Sequence, residues 1–208
     1  MIKNIIFDFG GVLLPIDAGK TAEEFERLGM SNFEELFSLK KQEHFFDDFE
    51  KGKTSPQAFR NDIRKHYNRP IPDEEIDFAW NAMLGELTPE RFEFLKELGS
   101  RYQLFLLSNT NVIHHASFIS RLNGTYGKGK FEDIFVHAYY SFNTKHRKPE
   151  KAIYDLVMRE HNLKPQECVF IDDNMENAKG AQDAGMNAIH HDKGMEIEKD
   201  LQAMMSAF

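Results

Sequence analysis

The chain has 208 residues, enough for one domain or for one domain that carries an insertion. Apolar residues make up 41% of it and charged residues 29%, which excludes a mainly disordered or collagen-like protein. The formal net charge is −8 and no basic patch is visible, which argues against nucleic-acid backbones and anionic membranes as partners. We therefore expect no nucleic-acid partner and no membrane partner.

The sequence contains a single cysteine, Cys168, so an intramolecular disulfide and a cysteine-based zinc cluster are both excluded. One free cysteine fits a reducing compartment, and we expect a cytoplasmic protein. The longest apolar runs, such as Leu104 to Leu107, are far shorter than the roughly 20 residues of a membrane-spanning helix. The sequence leaves the oligomeric state open between a monomer and a weak dimer.

Short apolar runs bounded by polar or glycine residues predict strands that are buried on both faces. In chain order these runs are Ile5–Phe7, Leu104–Leu107, Ile134–Val136, Val169–Ile171 and Asn187–Ile189. Segments with helical spacing lie between them, for example Ala178, Ala181 and Ala184 before Gly185. This alternation predicts an α/β fold, a three-layer Rossmann-like parallel sheet with a functional crevice at the carboxyl ends of its strands.

The stretch from about Ala18 to Leu87 shows no strand-like run and several helix starts. Ser31–Glu34 has the pattern of a capping box, Thr54–Gln57 that of a second start, and Asp73–Glu75 that of an acidic first turn. Many phenylalanines and Trp80 lie in the same stretch. These residues predict a small helical bundle with its own apolar core.

The bundle is expected to end at Thr88-Pro89, where threonine can cap a new helix and proline can occupy its first turn. We therefore predict a helical cap domain at residues 17–87. It is inserted into an α/β core domain that is formed by residues 1–16 and 88–208.

Three of the predicted strands end in polar or glycine residues, and parallel strand ends converge on one crevice. The residues at these ends are Asp8 with Gly10 and Gly11, Ser108 with Asn109, and Asp172 with Asp173. Each end also has an ordinary structural interpretation. An aspartate can cap local amides in a turn, a serine or asparagine can cap a helix, and acidic residues are favoured at a helix start.

Three carboxylates that meet in one crevice cannot all stay ionised without a cation, because like charges raise each other's pKa. A divalent ion with oxygen ligands resolves this, and Mg²⁺ fits such a site. Lys148, in Arg147-Lys148-Pro149, precedes a predicted helix. If it turns inward it can neutralise both a nucleophilic aspartate and a phosphoryl oxygen, and otherwise it is a solvated surface lysine.

Four motifs in this order make the sequence resemble the haloacid dehalogenase superfamily, and the resemblance covers nearly the whole chain. They are Phe7–Val12, Leu107–Asn109, Lys148-Pro149, and Ile171–Asp173 with Asn177. The insertion between the first two motifs is where this family places a helical C1 cap, the arrangement of its subfamily IA. A finer similarity, to the branch containing bacterial α-D-glucose-1-phosphate phosphatases, rests on Leu107–Asn111, Arg147–Glu150 and Trp80.

The resemblance implies a Mg²⁺-dependent phosphatase that hydrolyses a small phosphorylated metabolite, in particular a sugar phosphate. Asp8 would attack phosphorus and form an aspartyl-phosphate. Mg²⁺ would be held by Asp8, the carbonyl of Gly10 and Asp173, with Asp172 nearby. Ser108 and Lys148 would bind the phosphoryl group, and Asn109 and the amides around Gly10 and Gly11 would add hydrogen-bond donors.

One position departs from the pattern of most phosphatases in this superfamily. They carry an acid–base aspartate two residues after the nucleophile, and this chain has Gly10 there. General acid–base help is typically worth about 10²- to 10⁴-fold, so its loss should slow the release of a poor leaving group. Asp17 is a candidate for a substitute acid or a substrate contact, and its alternative role is that of a linker residue or helix cap.

Two other functions are compatible with this departure. A 2-haloacid dehalogenase needs no acid to release halide, but it also needs no metal and leaves the Asp172-Asp173 pair unexplained. A catalytically retired domain that binds a phosphometabolite or a protein partner is the other alternative, and Gly10 is the residue that favours it.

Overall fold

The computed structural model describes residues 1–30, 45–192 and 195–205. It contains a five-stranded sheet with the strand order β3-β2-β1-β4-β5, in which all pairs are parallel. The strands are β1 (Asn4–Phe7), β2 (Gln103–Ser108), β3 (His137–Tyr140), β4 (Cys168–Asp172) and β5 (Asn187–His190). The predicted α/β fold with a parallel sheet is confirmed.

Helices cover both faces of the sheet and also make up most of the described part of the stretch between β1 and β2. The described helices are α1 (Ala18–Arg27), α2 (Phe45–Glu50), α3 (Pro56–Tyr67), α4 (Asp73–Asn81), α5 (Pro89–Gly99), α6 (Val112–Tyr126), α7 (Ser141–Thr144), α8 (Lys151–Glu160), α9 (Met175–Asp183) and α10 (Ile197–Met205). Short 3₁₀ turns lie at Glu132–Ile134 and Pro165–Glu167. Among the residues described, no helix is both long and apolar enough to cross a membrane.

The sheet separates two apolar layers because successive side chains of a strand point to opposite faces. Ile5 and Phe7 of β1 pack on one side, in a cluster that includes Leu95 of α5. Ile6, between them, packs on the other side with Tyr154 of α8. The three layers follow directly from this alternation.

The predicted helix starts agree with the structure wherever they can be compared. Ser55 caps α3 by accepting a hydrogen bond of 3.2 Å from the Ala58 amide, and Thr88 caps α5 in the same way through the Arg91 amide, also at 3.2 Å. The acidic turn at Asp73 begins α4. The capping box predicted at Ser31–Glu34 lies outside the described residues.

Helices α1 to α4 share a third apolar cluster. It contains ring stacks such as Phe49 on Phe59, whose centroids are 4.1 Å apart, and Phe46 on Trp80, at 5.4 Å. Ile113 of α6 belongs to the same cluster, so the cluster reaches into the predicted core domain. The domain limits at residues 17 and 87 stay a prediction.

The strand predicted at Ile134–Val136 is misplaced, because the structure has β3 at His137–Tyr140. Before the strand begins, Phe135 of this run is buried in the same cluster as Phe7, whereas Val136 is 52% exposed. The strand itself is an edge strand that pairs only with β2, and its first residue is exposed. Its sequence therefore lacks the continuous apolar run of the central strands.

Replacing Phe59 with alanine is expected to lower the free energy of unfolding by about 3–5 kcal/mol, since it removes a fully buried ring from this third apolar cluster. Phe78 is 66% exposed on the neighbouring helix α4, so Phe78→Ala is a matched control that should change stability by less than about 0.5 kcal/mol. Urea denaturation of both variants measures the difference. Equal losses would show that this cluster does not stabilise the fold as described.

Candidate active site

Asp8 lies immediately after β1 and is only 7% exposed. Its amide donates a hydrogen bond of 2.9 Å to the carbonyl of Ile171, which continues the pairing of β1 with β4 beyond the last strand residue. The Asp8 Oδ1 atom accepts a hydrogen bond of 2.7 Å from the Phe9 amide. The sheet register therefore places the Asp8 carboxylate beside the end of β4.

The end of β4 supplies two more carboxylates. One oxygen each of Asp8, Asp172 and Asp173 lie within 4.8 Å of one another. Asp172 is fully buried and accepts hydrogen bonds from the Asn174 amide at 2.8 Å and from Asn177 Nδ2 at 3.0 and 3.1 Å. The structure thus brings together the three aspartates that the sequence placed at one crevice.

Lys148 lies inside the protein, and only 1% of its surface is exposed. Its Nζ atom is 2.7 Å from Asp8 Oδ1 and 2.7 Å from Asp172 Oδ2, so one ammonium group bridges two of the carboxylates. A buried charge of this kind is stable only when it is paired and hydrogen-bonded. The geometry corresponds to the inward orientation considered for this residue, and its part in phosphoryl binding stays a prediction.

The charges in this cluster do not balance, because three carboxylates surround one ammonium group. Burial raises the pKa of Asp8 to about 7; Lys148 opposes this rise, and Asp172 and Asp173 reinforce it. Burial and the charge of Asp172 also raise the pKa of Asp173. For Lys148, burial lowers the pKa, but the two aspartates outweigh it and the pKa rises. A further positive charge would be stabilised here.

The loop after Asp8 leaves room for the third carboxylate. Gly11 has a φ of +86°, a region that favours glycine, and a Cβ atom there would lie 2.2 Å from Asp173 Oδ2. A larger residue at position 11 would therefore displace the Asp173 carboxylate. Three close carboxylate oxygens with this loop beside them are the donor set that suits a hard divalent cation such as Mg²⁺.

The side chain of Asn109, just after β2, is hydrogen-bonded to the backbone of Lys148. Its Oδ1 accepts a hydrogen bond of 2.9 Å from the Lys148 amide, and its Nδ2 donates one of 3.0 Å to the Lys148 carbonyl. Asn109 is predicted to donate a hydrogen bond to a phosphoryl group, and in the structure it positions Lys148. Ser108, the last residue of β2, is 3% exposed and lines a cavity together with Gly10.

The cavity has a volume of about 200 Å³ and lies between the strand ends and the helices that follow β1. Its lining is mostly apolar or aromatic, with a few polar groups. The residues are Phe9, Gly10, Leu14, Ile16, Glu50, Trp80, Met83, Leu84, Ser108, Asn109, Thr110, His114 and Phe118. This volume is below the roughly 300–1,000 Å³ that is usual for drug-sized ligands, so the site suits a small molecule.

Asp17 is exposed and does not line this cavity. Its Oδ1 atom accepts a hydrogen bond of 3.1 Å from the Gly19 amide and caps α1. The structure therefore shows the helix-cap role that was the alternative for this residue. It gives no support to a role of Asp17 as substitute acid.

Two cavity residues had no recognisable signal in the sequence. Glu50 ends α2, and His114, in the first turn of α6, stacks on Trp80 with ring centroids 4.9 Å apart. Burial lowers the pKa of His114 to about 3, which keeps the ring neutral. Helical spacing does not reveal which residues of the helical insertion face the strand ends, and no motif marks these positions.

The raised pKa of Asp8 predicts a dependence of stability on pH. Because the folded-state pKa of about 7 exceeds the ordinary value of about 4, folding favours the protonated form. In buffer with a chelator, the free energy of unfolding should therefore fall as the pH rises from about 4 to 7, by at most about 4 kcal/mol. Urea denaturation across this range measures it.

Asp8→Asn should remove most of this dependence of the free energy of unfolding on pH. Asp155→Asn, which alters an exposed ion pair with Lys151, should leave the dependence unchanged. An equally steep slope in Asp8→Asn would show that another group causes the dependence.

The chain is similar to known hydrolases over its whole length. The family model described as haloacid dehalogenase-like hydrolase matches residues 2–185. D-ribitol-5-phosphate phosphatase of Bacteroides thetaiotaomicron is 28% identical over 207 residues, covering 100% of both chains.

Two solved structures are similar over nearly their whole length. A HAD family enzyme of Bacteroides thetaiotaomicron, solved with magnesium and inorganic phosphate, is 35% identical and covers 94% of this chain and 97% of its own, with a TM-score of 0.87. A predicted HAD-like hydrolase from Porphyromonas gingivalis is 27% identical and covers 99% and 98%, with a TM-score of 0.89. By its fold, its motifs and the family match, this chain belongs to the haloacid dehalogenase-like hydrolases.

Proposed function

We propose that this protein is a Mg²⁺-dependent phosphatase that hydrolyses a small phosphorylated sugar or polyol through an aspartyl-phosphate on Asp8. The observation that carries the proposal is the convergence of three carboxylate oxygens within 4.8 Å, with the buried ammonium of Lys148 at 2.7 Å from two of them. A phosphate monoester dianion repels a carboxylate nucleophile, so positive charge must neutralise both before attack.

The contacts of Asp8 indicate which oxygen reacts. Oδ1 receives the Phe9 amide and the Lys148 ammonium, which leaves Oδ2 as the oxygen for attack. Oδ2 would form a bond to phosphorus while the bond to the ester oxygen breaks, and the leaving oxygen would take a proton from water, because position 10 carries no acid. A water molecule would then hydrolyse the aspartyl-phosphate and restore the Asp8 carboxylate. Ser108 and Lys148 would bind the phosphoryl oxygens.

Asp8, Asp173 and the carbonyl of Gly10 would hold Mg²⁺, with Asp172 nearby. When bound, the ion supplies positive charge that stabilises the phosphoryl oxygens and the charge that develops on them. The position of Asp173 over Gly11 supports this ligand set. The Bacteroides enzyme solved with magnesium and inorganic phosphate, 35% identical, supports the same chemistry.

The substrate class is proposed from the cavity and from the relatives. The cavity of about 200 Å³ suits a small leaving group, and the ribitol-phosphate phosphatase that is 28% identical over the full chain acts on a phosphorylated polyol. The finer assignment to a glucose-1-phosphate branch stays a prediction, as do a cytoplasmic location and a state between monomer and weak dimer. We propose a phosphate ester as the partner and no nucleic acid.

Asp8→Asn is expected to reduce hydrolysis of an aryl phosphate in Mg²⁺ buffer by at least about 10³-fold, because the amide cannot act as the nucleophile. Asp155→Asn, which changes an exposed carboxylate far from this chemistry, is the matched control and should keep full activity. Steady-state release of phosphate measures both variants. Full activity of Asp8→Asn would overturn the proposal.

Two further measurements distinguish the two alternative functions from a phosphatase. Chloride release from a 2-haloacid that persists in EDTA would favour the dehalogenase. Stabilisation by phosphate esters without turnover would favour a retired binding domain.

A further inference from the structure

Among the described residues of the helical insertion, Glu50 is the carboxylate that lines the cavity. It ends α2 and lines the cavity together with Gly10 and Ser108, which belong to the strand ends. The other described side chains between β1 and β2 that line the cavity are apolar or aromatic: Phe9, Leu14, Ile16, Trp80, Met83 and Leu84. On this side of the cavity Glu50 is therefore the polar side chain that a ligand would meet.

The position of Glu50 is fixed by the residue next to Lys148. Arg147 Nη2 lies 3.2 Å from Glu50 Oε2, and the same guanidinium also contacts the carboxylate of Asp47, one turn earlier in α2. Arg147 therefore links α2 to the loop that carries Lys148. Because of this link, Glu50 is held at a defined place relative to Lys148.

One oxygen of Glu50 lacks a donor. Oε2 is buried, and among the described residues it accepts no hydrogen bond of normal geometry, although Arg147 is close. Burial raises the pKa of Glu50, and the charge of Arg147 opposes the rise. Oε2 itself has almost no accessible surface, but the Glu50 side chain as a whole is 23% exposed and lines the cavity, so a hydroxyl donor that enters the cavity meets this side chain as an acceptor.

We propose that Glu50 determines specificity by accepting a hydrogen bond from a hydroxyl group on the leaving-group portion of the phosphate ester. The phosphoryl group lies at the strand ends and the hydroxyl group meets Glu50 on the opposite wall, so the site selects short hydroxylated esters over apolar esters of equal length. This inference rests on the proposed function and names the group that selects its substrate class.

The test compares a pentitol 5-phosphate with n-pentyl phosphate, which has the same chain length but no hydroxyl groups. Glu50→Gln should lower kcat/KM for the pentitol phosphate by about 5- to 10-fold, the difference between a hydrogen bond to a charged carboxylate and one to the neutral amide oxygen that remains. It should change kcat/KM for pentyl phosphate by less than about twofold. Asp47→Asn also removes a carboxylate that Arg147 contacts, but Asp47 does not line the cavity.

Asp47→Asn is therefore the matched control and should leave the ratio of the two substrates unchanged. Equal losses on both substrates in Glu50→Gln would overturn the inference, because they would show that Glu50 only holds α2 in place. An unchanged ratio with unchanged activity would overturn it as well.

Calorimetry distinguishes a failure of the proposed function from a failure of the inference about Glu50. If the wild-type protein hydrolyses neither ester, the phosphatase proposal fails, and binding of the pentitol phosphate is compared with binding of inorganic phosphate. Weaker binding of the pentitol phosphate alone in Glu50→Gln would support the role of Glu50 in a binding site. Equal effects on both ligands would overturn it.

Discussion

The ammonium group of Lys148 lies buried between Asp8 and Asp172, and the rest of the site depends on this contact. It holds two carboxylates from neighbouring strands close together where water cannot screen their repulsion. Asn109 fixes the lysine through its backbone, and Asn177 fixes Asp172 from α9. One positive charge still leaves an excess of negative charge, and this excess makes the site suitable for a divalent ion.

We propose that the helical insertion contributes selection rather than chemistry. Its aromatic cluster is buried, and Arg147 links α2 to the residue beside Lys148. Among the described residues of the insertion, those that line the cavity are apolar or aromatic except for Glu50. Exclusion of water from such a cavity strengthens the electrostatic interactions inside it. In this proposal, the strand ends would bind the phosphoryl group and the insertion would contact the remainder of the substrate.

Most of the fold and the convergence of the aspartates follow from the sequence, because buried parallel strands carry continuous apolar runs and their ends share one edge. The apolar run at Ile134–Val136 lies before β3 and not in it, because an edge strand needs no continuous apolar run. The contact of Asn109 with the Lys148 backbone and the presence of Glu50 in the cavity were not predictable. Both depend on how separate segments pack, and spacing along one segment does not contain that information.

We propose that Asp8 and Asp173 hold one divalent ion beside Asp172, and calorimetric titration of Mg²⁺ tests this proposal most directly. Gly11→Ala would displace the Asp173 carboxylate, whereas Gly129→Ala puts a methyl group at a similar positive φ with no atom within 4 Å. We expect Gly11→Ala to bind Mg²⁺ at least about tenfold more weakly than Gly129→Ala, because the displaced Asp173 removes one charged ligand. Equal Mg²⁺ affinity of the two variants would contradict it.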